Sequence, residues 1–568
     1  MDALRNAQRL DRELGDPYDP REEFSYARRV EEDEAERYPS SALRRLFQLQ
    51  FHQYYVPREL GGKFQSFQEV GALVRVVARR DLTIAVIHAV SLLGTAVVSL
   101  AGDACQQRAL AGSVLAGEPV SVALSEPASD SDLLVMTTAA RPRGDGYHLA
   151  GEKCLVNGLD RHCFAVIYAR TAEGGGPRGF SLFLVDKETI RDGIFVSGKI
   201  PILGLRGADW NELRFDARLP AAALIGSEGS GFELLLKVLP ISRTICGALT
   251  LGALDASLET ALRFALQRKV CDQQVAELPE SQKLLVESWA EMLISDCLTG
   301  LVLRALHAAP SQASVHSAVA KYLVPTLAEQ AMQRLSVVYG ARYYLEHSDD
   351  RGIFQKMYRD NHVISRFDGG IQVNLFILSH QLRALVTRYQ ATEVPAWVHH
   401  ASDLSEFGWA GLSLSASGHD AILAGFEAGI SALRSWMQQH VSDDMRQVLE
   451  PSLAQLAQGK DELFDAVRRV SAGAFAAGDP AGFELARRYC VVEAAAAVLA
   501  DWQLNRAALA TTLAHPAVLA VVLHRLAALL GGVTSLPTSC YRECFAVLVA
   551  RRERDGQCSL YVMPTQGS

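Results

Sequence analysis

Near Pro119 the hydrophobic pattern of this chain changes period, and near Gly231 it changes back. From about residue 24 to 117, apolar residues recur at spacings of three and four (Leu43, Leu46, Phe47, Leu49, then Val70, Leu73, Val74, Val76, Val77), as in amphipathic helices. Val56-Pro57 and Gly61-Gly62 mark a turn between two of them. Residues 119 to 226 carry short alternating or β-branched runs instead: Ser121 to Leu124, Tyr147 to Ala150, Ala165 to Arg170, Phe180 to Val185 and Leu213 to Phe215. Clusters such as RPRGDG and EGGGPRG separate them, which predicts a compact β-domain. Helical spacing returns at Gly231 and continues to about Gln390. Val394 to Trp409 contains Pro395 and no clear period, so it reads as a connection. A second helical block, rich in Ala and Leu, runs from Ala410 to about Val533. The expected order is α, β, α and a further α, divided at 1–118, 119–230, 231–390 and 391–568.

A chain of 568 residues with 49% hydrophobic and 21% charged residues has enough apolar material for several packed cores. Its formal net charge of −8 speaks against a nucleic-acid or anionic-membrane partner. The opening MDALRNAQRLDRELGDPYDPREEF has no apolar core and is not expected to be a secretory signal. Thr83 to Ala101 and Ala507 to Leu530 approach the length of a membrane span. The first carries His88 and several hydroxyls, and the second carries His515, Pro516, His524 and Arg525. Both therefore read as buried helices, and no membrane span is expected. Ten cysteines are scattered without a paired spacing; Cys540 and Cys544 lie four apart with no matching pair nearby. Reduced thiols in a cytoplasmic protein are expected, with no disulfide framework and no metal.

Four groups of segments carry chemistry. Val122 to Leu133 (VALSEPASDSDL) is a strand entering a polar loop, whose Ser125, Ser129 and Ser131 suit either a ligand or a solvated turn. Gly151 to Arg170 (GEKCLVNGLDRHCFAVIYAR) and Leu203 to Gly231 (LGLRGADWNELRFDARLPAAALIGSEGSG) follow. The last group comprises ISRTICGALTLGAL, FALQRKVCD, AVAKYLV, VVYGARYYLE and YRDNHVISRFDGGIQ. In this order, over roughly residues 24 to 390, they resemble the acyl-CoA dehydrogenase family. The first is similar to that family's ALTEPGAGSD signature and the second to its G-x-K-x-W-I-T-N strand pair. The resemblance implies a mostly α protein with a central β-domain: an N-terminal helical domain, a middle β-barrel or sandwich and a C-terminal four-helix bundle. The extra helical domain is similar to that of very-long-chain dehydrogenases and acyl-CoA oxidases, implying dimerisation, a cover for the acyl channel or docking of a carrier protein.

The resemblance further implies FAD between the β-domain and the C-terminal helices. Leu124 and Ser125 fall at its flavin, with the Ser125 hydroxyl on the pyrimidine ring. Ser131 falls at the FAD pyrophosphate or the thioester edge. Arg268 matches an arginine on the FAD phosphates of a neighbouring subunit, and Gln372 a glutamine at the adenosine half; a surface ion pair and an ordinary helix residue are the plainer readings. Leu155 and Asn157 stand where the family has Trp and Thr beside the flavin. Cys271 replaces an aromatic residue near the phosphates, and Gly370 replaces the threonine of E-G-T. Gly340, another position implied at the cofactor, lies in the stretch Tyr339 to Tyr344 (YGARYY), which departs from GG-x-GY and brings in Arg342. That departure, and an insertion between Tyr344 and Arg359, suggest an altered substrate.

The run RDNHVISRFDGG resembles the family's R-D-x(6)-Y-E-G-T without a gap. Asp368 thus falls on the catalytic glutamate, with Phe367, Gly369, Arg243 and Ser131 beside the substrate. An alternative base position falls on Ser242, which is no base at neutral pH. Aspartate is one methylene short, and a misplacement of about 1 Å costs on the order of a hundredfold in rate. Three readings stay open: a working base for a closer or more acidic substrate, a weakened relic, or a cap on the Gly-Gly turn. The implied function is FAD-dependent α,β-desaturation or oxidation of an acyl thioester on coenzyme A or an acyl-carrier protein. The enzyme would be a homodimer or homotetramer passing electrons to an electron-transfer flavoprotein or oxygen. An aspartate base also resembles nitroalkane oxidase, so a flavin oxidase of a nitroalkane-like carbon acid is the alternative; a scaffold that has lost FAD is the third.

Overall fold

A computed structural model describes residues 2–129, 132–159, 161–174, 176–347, 351–398, 406–475, 479–507, 512–532, 535–555 and 558–560. The N-terminal helices are α1 (Asp2–Glu13), α2 (Tyr26–Glu34), α3 (Ser40–Gln48), α4 (Phe67–Arg80), α5 (Leu82–Ala101) and α6 (Ala104–Leu115). Short polar side chains start three of them. Ser66 accepts the Glu69 N–H at 3.2 Å to open α4, and Asp81 accepts the Thr83 N–H at 2.8 Å to open α5. Asp103 and Gln106 form a capping box on α6. Helix α1 precedes the expected helical region: its charged sequence hides a narrow stripe of Ala7 and Leu10, buried with Leu14, that packs on α4. The turn expected at Val56–Gly62 is present as 3-10 turns at Phe51–Tyr55 and Arg58–Leu60.

Eight strands follow: β1 (Val120–Ala123), β2 (Ala139–Arg143), β3 (Gly146–Asn157), β4 (Phe164–Arg170), β5 (Phe180–Asp186), β6 (Ile194–Val196), β7 (Trp210–Pro220) and β8 (Leu224–Ile225). They form one sheet in the order β6-β7-β3-β2-β4-β5-β8, with β1 parallel to β4. Strand β7 alternates strictly, burying Leu213, Phe215, Ala217 and Leu219 and exposing Glu212, Arg214, Asp216 and Arg218. Strand β2 escaped the sequence reading because it is polar and contains Pro142. It pairs antiparallel with β3 around the RPRGDG turn.

The next unit holds α7 (Gly231–Gln267), a hairpin of β9 (Lys269–Val270) and β10 (Gln273–Gln274), α8 (Pro279–Ala308), α9 (Ala313–Tyr339), α10 (Ile353–Ile364) and α11 (Ile371–Arg388). Helices α5 and α7 are each long and apolar enough to cross a membrane. Here α5 packs against α4, α7 and β1, and α7 packs against α4, α8 and α9.

The remaining helices are α12 (Phe426–His440), α13 (Asp443–Arg469), α14 (Pro480–Asn505), α15 (Pro516–Leu529) and α16 (Thr538–Asp555). This block begins later and ends later than its composition suggests. Residues 410–425 form turns and loops, while α16, carrying the buried free thiols of Cys540 and Cys544, runs past Val533. Part of the expected connection, 399–405, lies outside the described residues. The block is not a loose appendage, since α14, α15 and α16 all pack on α8. Buried Trp289 of α8 donates its indole N–H to the Cys558 carbonyl at 2.8 Å, and Arg552 of α16 pairs with Glu259 of α7 at 3.0 Å.

Candidate active site

Asp368 sits in the short loop between α10 and α11, and three clamps fix that loop. Asp368 and Gly369 both adopt left-handed backbone, with φ of +56° and +82°. Asp tolerates this conformation better than most residues. At position 369 a Cβ would come within 2.8 Å of the Arg243 guanidinium and would be strained at this φ, so glycine lets that guanidinium stay where it is. The first clamp is Asn374, whose Nδ2 donates to the Gly369 and Gly370 carbonyls at 2.7 and 2.9 Å. The second is buried Lys321, which donates to the Phe367 carbonyl at 2.7 Å and to that of Ile364, and lies 5.0 Å from the Phe367 ring centroid. The third is buried Arg243, whose Nε donates to the Asp368 carbonyl at 3.2 Å.

Both cations therefore bond backbone carbonyls and leave the carboxylate available. Asp368 is only partly covered as a residue, yet its Oδ2 is sealed from solvent and has no partner. Burial raises its proton affinity above the ordinary carboxylate value, against the pull of Arg243, Lys321 and the Ser242 hydroxyl. Cys246, one turn beyond Arg243, is pushed up to about 12 by burial and is no nucleophile. Lys321 and Asn374 were not singled out by sequence. A lone lysine in AVAKYLV and an asparagine inside a helix carry no distinguishing pattern.

Helix α10, which leads into this loop, is bolted to the other two domains. Lys356 Nζ lies 2.6 Å from Asp360 and 2.7 Å from Asp81, and donates to Thr83 Oγ1 at 3.1 Å. Asp360 Oδ1 accepts the Leu205 N–H at 2.6 Å. Arg359 reaches Asp33 at 2.6 Å and the Leu203 carbonyl at 2.9 Å, and Arg206 reaches Asp33 at 3.0 Å.

On the β-domain, Lys153 Nζ ties down the loop after β1, donating to the Leu124 carbonyl at 2.7 Å and to Glu126 at 2.9 Å. Burial alone would raise the Glu126 carboxyl, but Lys153 and the Thr137 N–H overcome it and hold the group at about 2. The Ser125 carbonyl accepts the Cys154 N–H at 2.9 Å, leaving the residue half-buried. A register slip between Lys153 and Val156 puts Leu155 at φ +52° and 50% exposed. Asn157 is 3% exposed, and neither atom of its amide has a partner; the Ser129 hydroxyl is also buried without one. Orphaned buried groups beside a strained residue are what a bound polar ligand accounts for. They fit the polar edge of a flavin ring. Ser131 lies outside the described residues. Relieving the strain by Leu155→Gly is expected to stabilise the FAD-free protein by about 1 kcal/mol while loosening FAD. Denaturant melts of the apoprotein and FAD retention on gel filtration check both halves.

Arg268, Cys271 and Gly340 belong to segments at the other end of α7. Arg268, Lys269 and Arg342, with Phe264 and Gln267, line a cavity of about 440 Å³. Cys271 is an exposed residue of the β9–β10 turn, with φ +50°. Gly340 ends α9 at φ +59° and opens the 3-10 turn that presents Arg342. At about 1.5 Å per residue, α7 separates Arg268 from Arg243 by roughly 37 Å. Gln372 is exposed on the first turn of α11, whose amino end is capped by Gly370. A further cavity of about 310 Å³ lies among Tyr38, His52, His88, Arg161 and His162. Burial lowers His88 and His162 to about 3, leaving both neutral, and none of the nominated residues lines this cavity.

Three family models match in chain order over this architecture: the N-terminal domain of acyl-CoA dehydrogenases at residues 21–118, their middle domain at 121–217 and their C-terminal domain at 229–382. The chain belongs to the acyl-CoA dehydrogenase family, a family of FAD-dependent oxidoreductases. It is 26% identical over 356 residues to a probable acyl-CoA dehydrogenase, FadE25, of Mycobacterium tuberculosis, covering 62% of this chain and 90% of that one. An acyl-CoA dehydrogenase from Bacillus anthracis, solved with FAD, superposes over 97% of this chain and 95% of its own, with a TM-score of 0.75 at 17% identity. The architecture including α12–α16 thus recurs in a solved structure. The prolyl acyl carrier protein oxidase AnaB superposes over 67% of this chain and 98% of its own, with a TM-score of 0.58 at 18% identity.

Proposed function

We propose that this protein is an FAD-dependent enzyme that desaturates or oxidises an acyl thioester at Cα–Cβ, with Asp368 as the base that takes the α-proton. The observation that carries the reading is the Asp368 carboxylate, whose sealed Oδ2 has no partner on a loop held by Asn374, Lys321 and Arg243. Bound FAD supplies the hydride-accepting ring. Burial brings the carboxyl toward the range where a base works near neutrality. The left-handed backbone and its clamps hold the carboxylate in one place, which shortening the side chain makes essential. Asn157 and Ser125 offer hydrogen bonds to the polar edge of the ring. Arg268, Lys269 and Arg342 suit the phosphates of a cofactor bound by a neighbouring subunit, since a guanidinium fork matches phosphate oxygens. Their distance along α7 from the Asp368 loop favours such a crossing.

The likeness in fold to a carrier-protein oxidase makes acyl-carrier-protein thioesters candidates alongside coenzyme A thioesters. The deciding experiment mixes the FAD-loaded protein anaerobically with both kinds of thioester over a range of acyl groups, and with nitroalkanes. Bleaching of the flavin band by at least one thioester is expected. Bleaching by nitroalkanes alone would replace this reading with the carbon-acid oxidase, and a protein that cannot be loaded with FAD would end both. Readmitting oxygen or an electron-transfer flavoprotein then identifies the electron acceptor.

A further inference from the structure

Away from the active site, three buried side chains from two domains converge where the extra helices meet the bundle. They are His316 on α9, Asp420 in the segment before α12, and Glu493 on α14. Their ligand-type atoms all lie within 4.8 Å of one another. His316 Nδ1 is 2.8 Å from Glu493 Oε1 and 3.9 Å from Asp420 Oδ1.

The hydrogen-bond pattern around them fixes which atoms can give a proton. The Gln312 amide oxygen accepts the Ala421 N–H at 2.8 Å and lies 3.2 Å from His316 Nε2. An acceptor at that place makes Nε2 a donor, and the 2.8 Å contact between Nδ1 and Glu493 Oε1 holds a second proton, the one a cation would displace. Asp420 receives the Leu423 N–H on Oδ1 at 2.8 Å and the Tyr489 hydroxyl on Oδ2. Glu493 is fully buried, and among the described residues no N–H or hydroxyl donates to its Oε2. Among the described residues, no lysine or arginine pairs with either carboxylate. Two carboxylates and one imidazole thus meet at a common point, where without a metal the contacts between them are held by protons. A divalent cation takes the place of such protons when it binds.

We propose that His316, Asp420 and Glu493 bind a divalent first-row cation, Zn²⁺ by the nature of its donors, which pins the extra helical domain to the bundle. One imidazole nitrogen and two carboxylate oxygens form a mixed nitrogen–oxygen set that suits zinc, which holds such ligands at about 2.0–2.2 Å. Pairs of atoms around such an ion stand roughly 3.3–4 Å apart. The site therefore needs His316 and Glu493 to part slightly and the widest pair to close by less than about 1 Å. Gln312 completes it from outside, since a hydrogen bond to the far nitrogen orients a metal-bound imidazole. The Tyr489 hydroxyl or a water fills the fourth position. Sequence spacing gave no sign of this, because the ligands come from three distant segments.

The test uses the full-length, FAD-loaded protein, stripped with chelator, dialysed against Zn²⁺ alone and passed through gel filtration. About one equivalent of zinc is expected to be retained, with a rise in melting temperature. Glu493→Gln and Asp420→Asn, which keep size and change charge, are expected to weaken retention at least tenfold and abolish the shift. Zinc K-edge absorption of the loaded wild type is expected to report nitrogen and oxygen neighbours only. Wild type that retains no zinc overturns the proposal, as do variants that retain it fully. Sulfur neighbours in the absorption spectrum would place the ion at a cysteine site and overturn it even if the variants fail to fold.

Discussion

Asp368→Asn is expected to bind FAD normally and to slow anaerobic flavin reduction by an acyl thioester by about a thousandfold, a middle value for losing a general base. Asparagine preserves the shape of the side chain and the left-handed backbone at φ +56°, so the three clamps on the loop should hold. What disappears is the acceptor for the α-proton. Ser242, whose hydroxyl lies beside the carboxylate, cannot replace it. The pH dependence follows from the raised proton affinity of Asp368. Wild-type reduction should fall as pH drops through that raised value, because the base becomes protonated, while residual reduction in the variant should lose this limb. Stability moves the other way. A folded-state carboxyl with raised affinity contributes stability below its unfolded value, and loses it as pH rises through the folded one. Asparagine mimics the neutral form, so the variant should melt at or slightly above wild type near neutrality. Stopped-flow reduction and a thermal melt separate a lost base from a damaged fold. Unchanged reduction would remove Asp368 from the mechanism.

The β-domain was legible because β4 and β5 are short, almost wholly buried apolar runs between turn clusters, and because the middle of β7 alternates. β2 was not, since a proline and two arginines look like part of a turn until β3 is seen beside them. α1 was hidden for a similar reason, as Ala7, Leu10 and Leu14 form too thin a stripe among charges to stand out. At the active site, RDNHVISRFDGG located Asp368, because chain order alone defines that loop. Lys321 and Asn374, which hold the loop, reach it from α9 and from beyond the turn. The departure at Leu155 was legible as a missing aromatic, but not as a bulge with left-handed backbone. The cluster on α14 was the least visible feature: Glu493 meets His316 across 177 residues, and no local pattern spans that distance.

The same long-range logic makes Lys356 the most consequential lysine for stability. Lys356→Met is expected to cost about 3–5 kcal/mol, the range for breaking a buried ion pair by removing one partner. Methionine matches the length of the lysine stem, so packing within α10 is largely kept. The loss falls on Asp81 and Asp360, which would face each other in the interior with no cation between them. Burial alone would lower the lysine, but Asp360, Asp81 and Asp33 together hold its proton more tightly than usual. A lysine raised in this way gives its full stabilisation below its unfolded value and loses it only as pH rises through the folded one. In wild type the contribution is thus intact across the neutral and acid range. In the variant the stranded carboxylates are relieved by protonation, so the gap to wild type should narrow between about pH 8 and about pH 5.5. Denaturant melts at both pH values measure it, with half-buried Lys63→Met, which loses a bond to Gln50 and no ion pair, as a control expected to change little. Because Asp360 also holds the Leu205 N–H and Asp81 opens α5, the junction joins the N-terminal and middle domains to the helix that leads into the Asp368 loop. Flavin reduction in Lys356→Met should therefore fail at denaturant concentrations where the helical signal is still intact. A variant as stable as wild type at both pH values would show that the junction is held by packing rather than by charge.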